Sequence, residues 1–207
     1  MTNVGAFIVF EGGEGAGKST QERLLAEHLV ARGQNVLRTR EPGGTAAAER
    51  IRAILLDPAS AGLDVRAEAL LFAAARGDHV ARVIRPALQA GTTVVCDRYL
   101  DSSVAYQGYG RQMDPDRIRE LSLWATTGLV PDLTIILDID PRVGLARLSD
   151  PDRLEAEPLE YHERVRAGFL AIAAADPQRY LVVDAMQAPD DVAEQINGRV
   201  DRLLFER

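Results

Sequence analysis

Residues Gly12-Gly13-Glu14-Gly15-Ala16-Gly17-Lys18-Ser19 satisfy the pattern G-x-x-x-x-G-K-[ST] at every fixed position. Glycines here let backbone N–H groups turn inward around phosphate oxygens. The helix that follows adds its positive N-terminal end. Lys18 brings a point charge to β- and γ-phosphates, and the Ser19 hydroxyl is a ligand for Mg2+. The context the motif requires is present, with an apolar run before it and a helical pattern after it. The motif specifies nucleotide binding more sharply than any one reaction. An N-K-x-D base-reading motif and an L-S-G-G-Q-like signature are both absent from the sequence, and the length suits a small kinase.

A second chemical cluster is Asp97-Arg98-Tyr99, at the end of an apolar run. In doubly wound sheets, ligands sit at the carboxyl ends of strands. An Asp there can orient Mg2+ or its water, and an adjacent Arg can clamp a phosphate bidentately. A salt bridge at a strand end is the competing reading, and the dipeptide alone does not separate the two.

Short apolar runs at 6–10, 92–97, 133–137 and 180–183 read as strands, those at 6–10 and 92–97 as fully buried ones, and 35–40, stopped by the loop signal Glu41-Pro42-Gly43-Gly44, reads as another. Helical spacing covers 18–32, Ala46–Leu56, 66–90, 141–148, 158–175 and 189–204. Gly77 and Pro86 are expected to bend or split the 66–90 segment. Asp114-Pro115 reads as an N-cap with proline at the first helical position, opening a helix that passes Trp124 and ends near Gly128. About five strands alternating with helices predict a three-layer α/β/α fold on a parallel sheet. Residues 1–207 are expected to form one domain. The mixed-charge segment 150–160, with two prolines, is expected to be a mobile surface loop.

Composition narrows the function classes. The chain has 207 residues, 46% hydrophobic and 27% charged, with a net charge of −7. That acidic balance argues against a broad basic face for nucleic acid, but a small phosphorylated ligand needs only a local positive pocket. One cysteine excludes an internal disulfide framework and a Cys-based zinc site, and it fits a reducing, cytoplasmic setting. Cys96 reads as a buried, inert thiol. Residues 1–5 carry no basic leader and no run is long enough for a membrane span, so neither targeting nor membrane partners are expected. His28, His79 and His162 lack metal-ligand spacing and read as surface or core groups, and Trp124 reads as packing or a subunit contact.

Taken together, Phe10 to Thr20, Thr39-Arg40-Glu41-Pro42-Gly43-Gly44-Thr45, and Asp97-Arg98-Tyr99 with Ser102-Ser103 and Tyr106-Gln107-Gly108 resemble the bacterial thymidylate kinases. The resemblance covers nearly the whole chain. It implies Mg2+-dependent transfer of the ATP γ-phosphoryl to dTMP, a five-stranded parallel sheet, and usually a homodimer. It extends the ATP loop to Thr20. Phe72 and Arg76 match a thymine-binding pair, and their i, i+4 spacing puts them on one helix face. A core aromatic and a solvated charge are the alternatives. Arg98 and Arg52 match arginines that hold the dTMP phosphate, although Arg52 also suits an exposed helix. Ser103 and Gln107 match polar groups near the base, Tyr106 a ring crowding the sugar 2′ position, and Glu14 a carboxylate near the 3′-hydroxyl.

The chain departs from the family pattern in two places. Some members carry an arginine within the phosphate loop where this chain has Gly15. The lid, about 147–158, looks short and poor in arginine. Arg153 matches the retained D-R pair and is the candidate catalytic arginine, and Arg147 is expected near adenine or a phosphate. Another nucleoside or nucleotide kinase of this fold, or a nucleotide-dependent switch, are the competing readings.

Overall fold

A computed structural model describes residues 5–205, so most of the 1–5 segment read above lies outside the described residues. The strands are β1 (Phe7–Gly12), β2 (Val36–Arg40), β3 (Thr93–Asp97), β4 (Leu133–Asp138) and β5 (Tyr180–Asp184). They form one parallel sheet in the order β2-β3-β1-β4-β5. The sheet agrees with the expected fold class. Because β3 and β4 flank β1 on opposite sides, the strand order reverses at β1 and opens a crevice at its carboxyl end.

Period-two side-chain alternation divides β1 between two cores. Ile8 and Phe10 face a cluster with Leu25, Leu29, Ile196 and Val200, from α1 (Lys18–Ala31) and α9 (Pro189–Phe205). Phe7 and Val9 face a second cluster with Ile84, Leu88, Cys96 and Tyr99. Cys96 is fully buried there, and burial pushes its thiol well above the usual range.

On this second face, α2 (Ala46–Leu56) packs along α3 (Val65–His79), and α6 (Pro115–Ala125) crosses α3. Gly77 does not bend α3. Its missing side chain admits α6, since a Cβ there would lie 3.0 Å from the Ala125 carbonyl oxygen. The helix widens instead into a π-turn at Val80–Ile84 before α4 (Arg85–Gln89). Pro86 has no N–H to offer the preceding turn, and the wider turn relieves the clash of its ring.

One helical segment has no counterpart in the sequence reading. Leu100–Ser103 (α5) continues as a π-turn through Val104–Gly110. Its serines and glycines look like loop residues. Packing against α8 (Leu159–Ala175) overrides that preference, and a Cβ on Gly110 would lie 2.6 Å from the Tyr161 ring. α7 (Pro141–Leu145) is shorter than expected, and α6 stops at Ala125.

Candidate active site

The phosphate loop leaves β1 at Gly12 and enters α1 at Lys18, with Gly17 as a left-handed N-cap. Gly15 backs directly onto Gly144 of α7. A Cβ at Gly15 would lie 2.2 Å from the Gly144 carbonyl oxygen, and one at Gly144 would lie 2.1 Å from that of Glu14. This packing leaves no room for a side chain at Gly15. Lys18 is buried and its Nζ donates to the carbonyls of Gly13 at 2.8 Å and Gly12 at 3.2 Å. Burial, with the nearby Arg98 charge, pulls its ammonium below the ordinary lysine range.

Arg98 follows β3 with a left-handed backbone, φ 67°, which aims its side chain at the loop. Its Nη1 donates to the Gly12 carbonyl at 3.0 Å, and its Nη2 lies 2.9 Å from both oxygens of Glu14. The Tyr106 hydroxyl also donates to Glu14, and the Arg98 guanidinium sits 5.0 Å from the centre of the Tyr106 ring. Burial alone would raise the Glu14 pKa, but Arg98, Lys18 and Tyr106 outweigh it and hold it at about 2.

Glu11 lies beneath this pair and is fully buried. It accepts the backbone N–H of Tyr99 at 2.9 Å, that of Ser102 at 3.0 Å, and the Ser102 hydroxyl at 2.5 Å. It thereby anchors the chain just after the left-handed Arg98. Burial, then the nearby Asp101, pushes its pKa up to about 7 against the opposing pull of Arg98 and its hydrogen bonds. Sequence reasoning missed Glu11, although an acidic residue closing an apolar strand was a visible signal.

A cavity of about 290 Å³ opens at the carboxyl ends of β1 and β3. Glu14, Gly15, Ala16, Gly17, Lys18 and Ser19 line it from the phosphate loop. Asp97, Arg98, Ser103, Tyr106 and Gln107 line it from β3 and the segment that follows, and Arg52 and Phe72 from α2 and α3. Phe72 is therefore neither a closed core aromatic nor a surface residue. Arg52 donates to the Pro42 carbonyl at 3.0 Å and is not an exposed helix charge.

Arg76 lies behind the cavity wall rather than on it. It is 2% exposed, and its guanidinium bonds Glu41, Ser122, the Tyr99 carbonyl and Ser103 at 2.7–3.1 Å. In this arrangement it meets the cavity through Glu41 and Ser103, which both line it. Glu41 also pairs with His79 Nδ1 at 3.1 Å, and the other His79 nitrogen meets Thr39 at 2.7 Å. This network ties the 39–45 loop to α3, a role that spacing alone did not assign. His79 is thus a core residue.

The lid departs further from expectation. Arg153 does not line the cavity. Its Nε donates to the Leu55 carbonyl at 2.7 Å, and its Nη2 lies 2.7 Å from buried Glu68. Segment 150–160 is accordingly not all surface, because Arg153 and Leu154 are packed down, and Asp152, Leu154 and Glu155 reach the cavity wall. Arg147 is exposed and donates to the Gly15 carbonyl at 2.7 Å, on the loop but away from the cavity lining. Thr20 and the loop's Gly12 and Gly13 also lie off that lining.

The cavity suits a divalent cation carried on a nucleotide. Asp97 Oδ1 is buried without a hydrogen-bond partner, and Ser19 lines the same cavity. Among the described residues, no cluster of three or more His, Cys, Asp or Glu side chains is disposed to hold a metal. An Mg2+ ion with one or two protein ligands and the rest from phosphates and water fits that donor set.

Comparison with known proteins agrees with this geometry. The thymidylate kinase family model matches residues 10–196. The chain is 53% identical to a thymidylate kinase of Solidesulfovibrio magneticus, over 96% of this chain and 100% of that one. It is 52% identical to one from Cutibacterium acnes, over 97% of this chain and 98% of the other. The crystal structure of thymidylate kinase from Ehrlichia chaffeensis superposes with a TM-score of 0.79 at 36% identity, covering 96% and 99% of the two chains. On the breadth of the family match and these full-length identities, the chain belongs to the thymidylate kinase family.

Proposed function

We propose that this chain transfers the γ-phosphoryl group of ATP to dTMP, giving dTDP and ADP on the route to dTTP. The observation that carries the reading is a single cavity. Phosphate-loop residues line it alongside Phe72, Ser103 and Gln107, and Arg98 is bonded to the loop. An acceptor phosphate oxygen attacks the γ-phosphorus while the bond to the ADP leaving oxygen breaks. A phosphate monoester is already ionised near pH 7, so no strong general base is required. The chain's task is to hold two anions in line and neutralise the group in transit.

In this reading Lys18 exchanges its carbonyl acceptors for β- and γ-phosphate oxygens. Arg98 and Arg52 hold the acceptor phosphate. Phe72 stacks on thymine, with Ser103, backed by Arg76, and Gln107 at its edge. Tyr106 crowds the 2′ position, and Glu14 lies near the 3′-hydroxyl. Ser19 and Asp97, directly or through water, would hold Mg2+, which would supply charge neutralisation to the nucleotide phosphates. Arg147 serves the ATP side. Arg153 acts on the transferring group only if the lid leaves its seat on Glu68 and Leu55.

We place the reaction in the cytoplasm and the chain in a homodimer. The dimer reading is supported by the exposed apolar residues Leu70 on α3 and Trp124 on α6, two helices that pack together. Among the described residues Trp124 is left exposed, contrary to the packing reading. Among the described residues no helix is long and apolar enough to cross a membrane.

A coupled assay of ADP release with dTMP, dUMP, dCMP or thymidine tests the reaction. Release dependent on dTMP is expected. ATP hydrolysis without any acceptor would instead mark a nucleotide switch.

A further inference from the structure

Glu68, Phe72 and Arg76 repeat at i, i+4 and i+8 on α3, so one face of that helix carries all three. Glu68 is fully buried. Its Oε1 accepts Gln107 Nε2 at 3.0 Å and Arg111 Nε at 3.2 Å. Its Oε2 accepts Arg111 Nη2 at 3.2 Å and lies 2.7 Å from Arg153 Nη2. Two guanidinium groups thus share one carboxylate. Burial would raise its pKa, but Arg111, Gln107 and Arg153 outweigh burial and lower it.

An ionised carboxylate only accepts hydrogen bonds. Gln107 must therefore turn its amide NH2 toward Glu68, which leaves its carbonyl as the group on offer elsewhere. Among the described residues, no donor meets that carbonyl, and Gln107 lines the cavity beside Phe72 and Ser103. We propose that Glu68 is a positioning residue for base specificity: it locks Gln107 so that the cavity presents a carbonyl acceptor to the pyrimidine edge. This rests on the acceptor reading above.

The chemistry of the ligand follows from that lock. Thymine and uracil carry an N3–H that the carbonyl can accept. Cytosine presents an unprotonated N3, which would face the carbonyl lone pair to lone pair. A buried acceptor left unpaired is costly, so the fixed amide selects 4-oxo pyrimidines over 4-amino ones. The same carboxylate seats the lid through Arg153, so one residue serves both base reading and lid placement.

The test is the ratio of kcat/KM for dTMP to that for dCMP in the full-length protein. In Glu68→Gln the new amide can donate to Gln107 and let it turn over. The ratio is expected to fall about tenfold or more. In a Gln107→Leu background, the same Glu68→Gln change is expected to leave the ratio within about twofold, because the residue it acts through is gone. Equal losses for both nucleotides, or the same ratio change in both backgrounds, would overturn the assignment. If Glu68→Gln does not fold, Glu68→Asp, which keeps the charge and withdraws it by one methylene, carries the same two expectations. A wild-type protein that does not use dTMP would refute the acceptor reading itself. A wild type that selects dTMP, with a ratio unmoved by the Glu68 variants, would refute only the role of Glu68.

Discussion

Arg98 Nη2 sits 2.9 Å from each carboxylate oxygen of Glu14, across the opening of the phosphate loop. The two side chains are about equally sheltered, at 17% and 13% exposure. The pair joins the end of β3 to the loop after β1 and sets Arg98 at the cavity wall. Incoming phosphate oxygens would compete with Glu14 for the same guanidinium. Glu14 holds the Arg98 guanidinium aimed at the loop and unable to swing into solvent.

Replacement of Arg98 by lysine keeps the charge but removes the planar fork. Two charge-assisted hydrogen bonds of about 1.5–3 kcal/mol each are at stake. We expect kcat/KM for dTMP to fall by about 100-fold or more, with the KM for ATP little changed. Steady-state kinetics with each substrate varied in turn decides this. A loss below about threefold would remove Arg98 from the acceptor phosphate.

Phe72 tests the base site. Stacking of a base on an aromatic ring contributes about 1–3 kcal/mol. Phe72→Ala should therefore raise the KM for dTMP by roughly 5- to 100-fold. The thermal midpoint should fall only modestly, because Phe72 is half-buried on a cavity wall rather than in the core. An unchanged KM would mean that the pyrimidine lies elsewhere.

Arg153 separates two roles for the lid. Its side chain is 7% exposed and its partner Glu68 is 1% exposed. Arg153→Ala leaves Glu68 paired with Arg111, so the loss is that of one charged partner, about 1.5–3 kcal/mol. The melting temperature should fall by roughly 3–12 °C for a chain of this size. A transition-state arginine would instead cost about 10³–10⁵ in kcat. Calorimetry beside single-turnover kinetics distinguishes them, and a large kcat loss at unchanged stability would return Arg153 to the transferring phosphoryl.

Glu11 makes a prediction about pH. Its folded pKa of about 7 lies above the ordinary 4.5. Between those values the folded chain keeps a proton that the unfolded chain has released. Stability from this group is therefore full below pH 4.5 and lost as pH rises through 7, by about 3 kcal/mol in all. Glu14 acts in a separate window, where stability is lost as pH falls from 4.5 toward 2. Urea unfolding of Glu11→Gln across pH 4.5–8 should show a flatter profile than the wild type. Parallel profiles would mean that Glu11 titrates normally.

Trp124 reports on assembly. It is 82% exposed in the single chain. Trp124→Glu should shift a sedimentation profile toward the monomer and leave the far-ultraviolet spectrum unchanged. A wild type that sediments as a monomer at micromolar concentration would refute the dimer.

Local chemistry was legible in the sequence because it depends on neighbours along the chain. The phosphate loop needs glycines at fixed spacing and a helix directly after it, and α1 begins at Lys18 as the pattern required. All five strands were legible: β1, β3 and β4 as apolar runs, because strands buried on both faces must be apolar nearly throughout, and the partly exposed edge strands β2 and β5 as shorter apolar stretches. Side-chain partners were not legible, because they are chosen across the fold. Glu68 meets residues 107, 111 and 153, and Glu11 meets residues 99 and 102, separations that no local pattern records. Phe72 and Arg76 share a helix face by spacing, yet only the packing of α6 and the 39–45 loop draws Arg76 behind the wall while Phe72 stays on it. Helix periodicity sets the direction of a side chain. What stands there to meet it, and so whether a charge faces substrate or another charge, was decided by the tertiary fold.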